Sequence, residues 1–270
     1  AVLKDAIESA YITAGWDLEA SVNYEVEGLF PTFEDVLLAL RKLMRSSDYS
    51  ADTKGDYIGS LSTRLKSLTN GINGIIFGND EISLNTIFNQ NVIVDISRIG
   101  SMETKSLIMG MLVLKLQEYR LSCAGDINSP LKHVTVLEEA HNLLKRTSTE
   151  QSAESSNLTG KSVEMLANAI AEMRTYGEGF IIVDQAPAML DTAAIRNTNT
   201  KIVMRLPEGN DRELLGESMA LNEKQTMEIS KLPTGVAAVY QNDWQGSVLC
   251  KIPKYIVKNT EIKASRNNHY

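Results

Sequence analysis

Two adjacent carboxylates, Glu138 and Glu139, follow the run His133, Val134, Thr135, Val136, Leu137 and precede Ala140 and His141. A mostly apolar run of this length suits a strand covered on both faces, as in a parallel sheet. Acids at its carboxyl end then sit where open α/β sheets bind ligands. One carboxylate there can help hold Mg²⁺ while the next orients a water for attack on a phosphate, the Walker B arrangement of nucleotide hydrolases. The same two residues also read as helix-start acids placed for the helix dipole. Local residues leave both readings open.

The elements that must position these acids come from apolar periodicity. Leu3, Ala6, Ile7, Ala10 and Tyr11 have helical spacing over residues 3–14. Pro31 and Thr32 open a second helix, with Thr32 and Asp35 forming a capping-box pattern and Val36, Leu37, Leu40 and Leu43 its inner stripe. Residues 46–56 read as a polar linker, 57–68 as a third helix and 70–74 as a turn cluster. From residue 91 the pattern changes. Strands are expected at Val92–Ile96, at the run ending in Glu138, at Gly179–Val183 and at Ile202–Leu206. Helices are expected at 104–121, with Leu107, Met111, Leu114 and Leu121 inward and Met102, Met109 and Met111 as core filler, then at 161–176 and in two short pieces over 209–229. A polar loop spans Lys145–Thr159, and Val236–Tyr240 with Ser247–Cys250 form a terminal strand pair. Strands alternating with helices imply a three-layer, mostly parallel α/β sheet. The expected division is a helical portion over 1–80, an α/β core over 81–257 and a polar tail over 258–270.

Composition narrows the classes. The chain has 270 residues, 43% hydrophobic and 23% charged, an ordinary globular balance with no run long enough to span a membrane. A net charge of −7 argues against a surface built broadly to coat nucleic acid, though not against a small basic patch. Cys123 and Cys250 stand far apart and read as reduced thiols of a cytoplasmic protein. Ala1 rather than Met stands first, with no basic and apolar leader after it, so the chain reads as a piece of a longer protein.

A phosphate-cradling loop needs two glycines five apart, then Lys and Ser or Thr, between a strand and a helix. Gly160, Lys161 and Ser162 supply only its second half; position 155 is Ser155, and a polar loop rather than a strand precedes it. These residues are read as a helix start. A nucleotide hydrolase would therefore need its phosphate loop upstream of Ala1.

Four segments in order carry a resemblance: Val134–Leu144, Ala171–Gly177, Ile181–Leu190 and Asn197–Leu206, the last containing Asn199 and Thr200. Together they resemble the FtsK–HerA superfamily of ring-forming pumping ATPases, on the side of its HerA and type IV secretion (conjugation) branches. The resemblance covers the last two-thirds of the chain. It implies a RecA-like core whose Walker A segment precedes these motifs, ATP and Mg²⁺ as ligands, a hexameric ring, and DNA or secretion cargo as the load. The chain alone is expected to bind ATP poorly and to be inactive. A non-hydrolysing scaffold and a defence or nuclease-associated ATPase are the alternatives.

By that resemblance Glu138 holds Mg²⁺ through its water shell, for which one carboxylate suffices. Glu139 is the catalytic carboxylate that orients water. Gln185 contacts the γ-phosphate or that water, an amide being able both to donate and to accept; otherwise it is a turn residue before Pro187. Arg174, just ahead of Gly177, is the candidate finger for a neighbour's phosphate, or else a helix C-terminal cation; Arg196 and Arg205 are weaker candidates. Asp184 is read as metal-proximal or incidental. His141 is read as a packing or hydrogen-bonding residue, since His133 and His269 complete no metal cluster with it.

Overall fold

A computed structural model describes residues 2–25, 29–125, 128–146 and 155–255, the backbone alone at 155–160. The expected tail at 258–270 and most of the expected loop after Lys145 lie outside the described residues. The chain divides into two units, 1–93 and 94–270.

The first unit is helical, with α1 (Val2–Thr13), a small hairpin of β1 (Trp16–Asp17) and β2 (Val22–Asn23), α2 (Phe33–Ser46), α3 (Ala51–Thr69), α4 (Gly71–Ile76) and α5 (Leu84–Asn89). The Thr32–Asp35 capping box forms as expected: Thr32 accepts from Asp35 N–H, and the Asp35 carboxylate accepts from Thr32 N–H at 2.8 Å. Val36, Leu37 and Leu40 of α2 pack with Ala6 and Ala10 of α1 and Leu65 of α3. Leu40 is fully enclosed; truncating such a leucine costs about 2–5 kcal/mol. Two expectations need correction. Residues 51–56 belong to α3, because Ser50 caps that helix by accepting from Thr53 N–H, so the linker is shorter. The glycines at 71 and 74 lie inside α4 rather than in a turn.

Residues 92–96, at the boundary of the two units, are read from the sequence as a strand, and the structure has none there. Val92–Ile96 is irregular, and Ile93 is 95% exposed. Ser97 N–H donates to Asp95 Oδ1 at 2.9 Å, an Asx turn that competes with any ladder. Hydrogen bonds from the Ser97 side chain and backbone also hold the Asp95 carboxyl below its ordinary range.

Then come α6 (Met102–Ser122), β3 (His133–Glu138), α7 (Ser155–Met173), β4 (Glu178–Val183), α8 (Thr192–Asn197), β5 (Thr200–Val203), α9 (Gly209–Ser218), α10 (Glu223–Glu228), β6 (Val236–Gln241) and β7 (Val248–Lys251). The fold is mixed α/β with small sheets. β3 and β4 pair in parallel, from His133 opposite Glu178 to Glu138 opposite Val183. β5, β6 and β7 form an antiparallel sheet in that order. Among the described residues, parallel pairing is confined to β3 and β4.

α6 packs on α7, and α7 on α8. The inner face of α6 differs from expectation. Ile108, Met109, Val113 and Leu116 are buried, whereas Leu107, Leu114, Leu121 and Met102 are exposed. Apolar residues surround this helix, so periodicity alone does not select a face. α7 starts at Ser155, ahead of the expected position, which puts Gly160–Lys161–Ser162 inside a helix. β5 ends at Val203, short of the expected Leu206.

One face of the β3–β4 pair is open: Val134, Val136, Ile181 and Val183 are all exposed on it. Parallel strands are ordinarily covered on both faces. Opposite the carboxyl rim, the N-terminal ends of the strands are tied by a buried network. Arg120 Nε donates to Glu178 Oε2 at 2.8 Å, Thr135 Oγ1 donates to Oε1 at 2.7 Å, and His133 Nδ1 lies 2.8 Å from Oε1. This network fastens the end of α6 to both strands.

Candidate functional site at the carboxyl ends of the parallel pair

Because β3 and β4 run parallel and in register through Glu138 and Val183, the residues after both strands emerge side by side. Glu138 shares the open face with Val134 and Val136 and is exposed. Glu139 has turned out of the strand. Its backbone is left-handed (φ 51°, ψ 51°), and it begins a 3₁₀ turn over Ala140–Asn142. A non-glycine residue there costs about 1–3 kcal/mol and persists only where its surroundings enforce it.

The enforcement is visible on both sides. After β3, Asn142 N–H donates to Glu139 O at 3.0 Å, and Leu143 and Leu144 N–H both donate to Ala140 O. Ala140, Leu143 and Leu144 are buried. After β4, the backbone from Asp184 to Met189 is held at two points. Ala186 N–H donates to Asp184 Oδ1 at 2.9 Å, and Ala188 N–H donates to buried Asp211 Oδ1 at 2.7 Å. Further out, Arg146 N–H donates to Met189 O and Asp191 N–H to Leu144 O, so the two loops are zipped together.

Within this frame Gln185 Nε2–H donates to Glu139 Oε1 at 2.8 Å. A carboxylate accepts only, so the amide nitrogen must face it, leaving the amide oxygen free to accept from elsewhere. His141 and Asp184 meet beside them. Asp184 Oδ2 accepts from His141 N–H at 2.8 Å and from His141 Nδ1–H at 2.9 Å. Glu139, His141 and Asp184 each offer a ligand atom within 4.8 Å of the others. The Asp184 oxygens and His141 Nδ1 are already spent on each other and on Ala186, so this trio reads as a brace rather than a cation cage.

No family model matches the chain. The chain is 33% identical over 123 residues to the DNA double-strand break repair helicase HerA of Sulfolobus acidocaldarius, a match covering 45% of this chain and 23% of that one. It is 28% identical over 154 residues to a probable helicase of Methanocaldococcus jannaschii, covering 55% of this chain and 28% of the other. Among solved structures it is similar to VirB4 of Thermoanaerobacter pseudethanolicus, at 15% identity and a TM-score of 0.61, over 94% of this chain and 68% of that one. In sequence the chain is similar to HerA helicases. The VirB4 likeness speaks for the fold alone. The chain spans about a quarter of the length of the curated relatives it matches.

Glu138, Glu139 and Gln185 stand at one rim, the carboxyl ends of β3 and β4. Arg174 does not join them. It is exposed, in a 3₁₀ turn over Arg174–Tyr176 just ahead of β4, at the opposite end of the pair. The five residue steps of β4 separate the two ends by about 17 Å. Gly177, which closes that turn at φ 87°, admits no side chain, since a Cβ would stand 2.5 Å from Pro130 O. Gly160–Lys161–Ser162 lies in a helix and forms no phosphate loop. His141 is the hydrogen-bonding histidine expected from the sequence, and its partner is Asp184, which sequence reasoning left as metal-proximal or incidental. The available signal was an acid directly after one apolar run and a histidine three residues beyond the end of another.

No helix among the described residues is long and apolar enough to cross a membrane.

Proposed function

We propose that the chain is part of the RecA-like motor domain of an ATP-hydrolysing ring, a hexamer that translocates DNA or secretion cargo. The observation that carries this reading is the Gln185–Glu139 hydrogen bond across the exits of two parallel strands. It aims a carboxylate and an amide at one point just outside the sheet, where open α/β sheets take their ligands.

Glu139 accepts a proton-bearing water and orients it toward the γ-phosphate. Gln185 fixes the carboxylate through one oxygen and leaves the other to the water. The donor set also fits a hydrated Mg²⁺: Glu138 is a lone exposed carboxylate at the strand end, and this ion binds through few protein oxygens while keeping most of its waters. When bound, Mg²⁺ would offset phosphate charge. Arg174, at the far end of β4, is suited to serve a neighbouring subunit's site rather than its own. The open face bearing Val134, Val136, Ile181 and Val183 is where a further layer of a three-layer sheet would lie. In this reading residues 1–80 are a helical subregion, 81–257 the core and 258–270 a tail, and the Walker A loop is contributed from outside the chain.

The test is ATP turnover by the complete protein. Glu139→Gln is expected to abolish turnover while nucleotide binding, read by calorimetry, persists. Undiminished turnover in Glu139→Gln would reject Glu139 as the water-orienting residue, and no turnover in the unsubstituted complete protein would leave a non-hydrolysing scaffold.

A further inference from the structure

We infer that His141 and Asp184 form a positioning pair that takes over the capping of the turn after β3 and thereby releases the Glu139 carboxylate for its work. The inference rests on Glu139 as the water-orienting residue.

Glu139 is the N-cap of the turn Ala140–Asn142, yet its side chain makes no capping bond. An acidic N-cap ordinarily folds back onto an N–H of the first turn. Here the His141 N–H is already taken, at 2.8 Å, by Asp184 Oδ2 from the end of the neighbouring strand. The Asp184 side chain is 3% exposed, and its carboxylate receives three donors: His141 N–H, His141 Nδ1–H at 2.9 Å and Ala186 N–H at 2.9 Å. A carboxylate so enclosed is stable only when its oxygens are satisfied. Because it can only accept, His141 must carry its proton on Nδ1. The imidazole thus supplies one of the bonds that keep Asp184 in the capping place. Its Nδ1 also lies 3.6 Å from Glu139 Oε2, alongside the oxygen that Gln185 does not hold.

Without the imidazole, Asp184 loses a donor and its orientation, and the Glu139 carboxylate becomes the nearest acceptor for the vacated N–H. Glu139 would then act as an ordinary cap, turned away from Gln185. The loss should fall on the chemical step rather than on nucleotide binding, because the Asp184 carboxylate is enclosed and already bonded to His141 and to Ala186 N–H.

The experiment measures kcat and KM for ATP in the complete protein. His141→Ala should lower kcat by about 10–100-fold, the range for residues that orient catalytic groups, with KM changed less than about twofold. His141→Asn should recover most of that loss, because its amide N–H can take the place of Nδ1–H. Asp184→Asn, which keeps the side chain's size, should match His141→Ala and carries the same test if the alanine variant does not fold. Unchanged kcat in His141→Ala or Asp184→Asn, or an Asn variant at 141 as impaired as Ala, overturns the inference. Glu139→Gln in the same assay separates the two ideas. Turnover surviving in Glu139→Gln defeats the catalytic reading, whereas a dead Glu139→Gln beside a fully active His141→Ala defeats only the positioning pair.

Discussion

Gln185 Nε2 and Glu139 Oε1 stand 2.8 Å apart although 46 residues separate them in the chain. The parallel register of β3 and β4 brings them together. If the bond orients the carboxylate, Gln185→Ala should lower kcat by about 10–100-fold with little change in nucleotide affinity. Gln185→Glu should be worse, since it sets two negative charges against each other. Steady-state turnover and calorimetric binding on the complete protein check both, and an active Gln185→Glu would rule out the contact as a working one.

Arg174 lies beyond the opposite end of β4 from Gln185, too far to serve the same site. If it serves the neighbouring subunit, Arg174→Ala rings and Glu139→Gln rings should each be inactive, while mixed rings regain part of the turnover. Recovery arises at interfaces that combine an intact Glu139 from one subunit with an intact Arg174 from the next. Mixed rings that stay dead would assign Arg174 to its own helix end.

Glu178 holds Arg120, Thr135 and, through Nδ1, His133, with the side chains of Arg120 and Glu178 only 5% and 0% exposed. Glu178→Ala strands the Arg120 charge and should cost about 3–5 kcal/mol, whereas replacing both members by methionine should cost far less. The midpoint of urea unfolding measures each, and the double variant gives the coupling. This network lies at the rim away from Glu139.

Lys201 on β5 is buried, with Nζ donating to Thr198 O at 2.8 Å, and burial pushes its amine below the ordinary lysine range. The folded state therefore sheds this proton at lower pH than the unfolded chain. Between the lowered folded value and the ordinary lysine value of 10.5 the unfolded state binds more protons, so this residue's contribution to stability rises with pH. Lys201→Met removes the charge. Its stability relative to the parent should be most favourable near neutral pH and should decline toward pH values around 10. Thermal unfolding at several pH values tests the sign, and a flat difference would refute it.

Local patterns were legible where neighbours in sequence are neighbours in space. Thr32 and Asp35 specify a helix start by themselves, because both partners lie within one turn. The acids at the end of β3 and Gln185 after β4 were readable as strand-end polar groups, since apolar runs mark strands and their ends. The strand expected at Val92–Ile96 failed for the converse reason: its side chains suit a sheet, but a strand needs a partner, and Asp95 closes a turn with Ser97 instead. The inner face of α6 failed because leucines ring the helix, so packing against α7 had to choose.

What the amino-acid order determined by itself was therefore which residue types stand at each strand end, and with them a chemistry of carboxylate and amide. What only the tertiary structure decided was their relation: the register that sets Glu138 opposite Val183, the left-handed turn at Glu139, and the bonds that give Asp184 to His141 rather than to water. Register is a long-range property, set by how two distant strands bury their side chains together, and no window of sequence contains it.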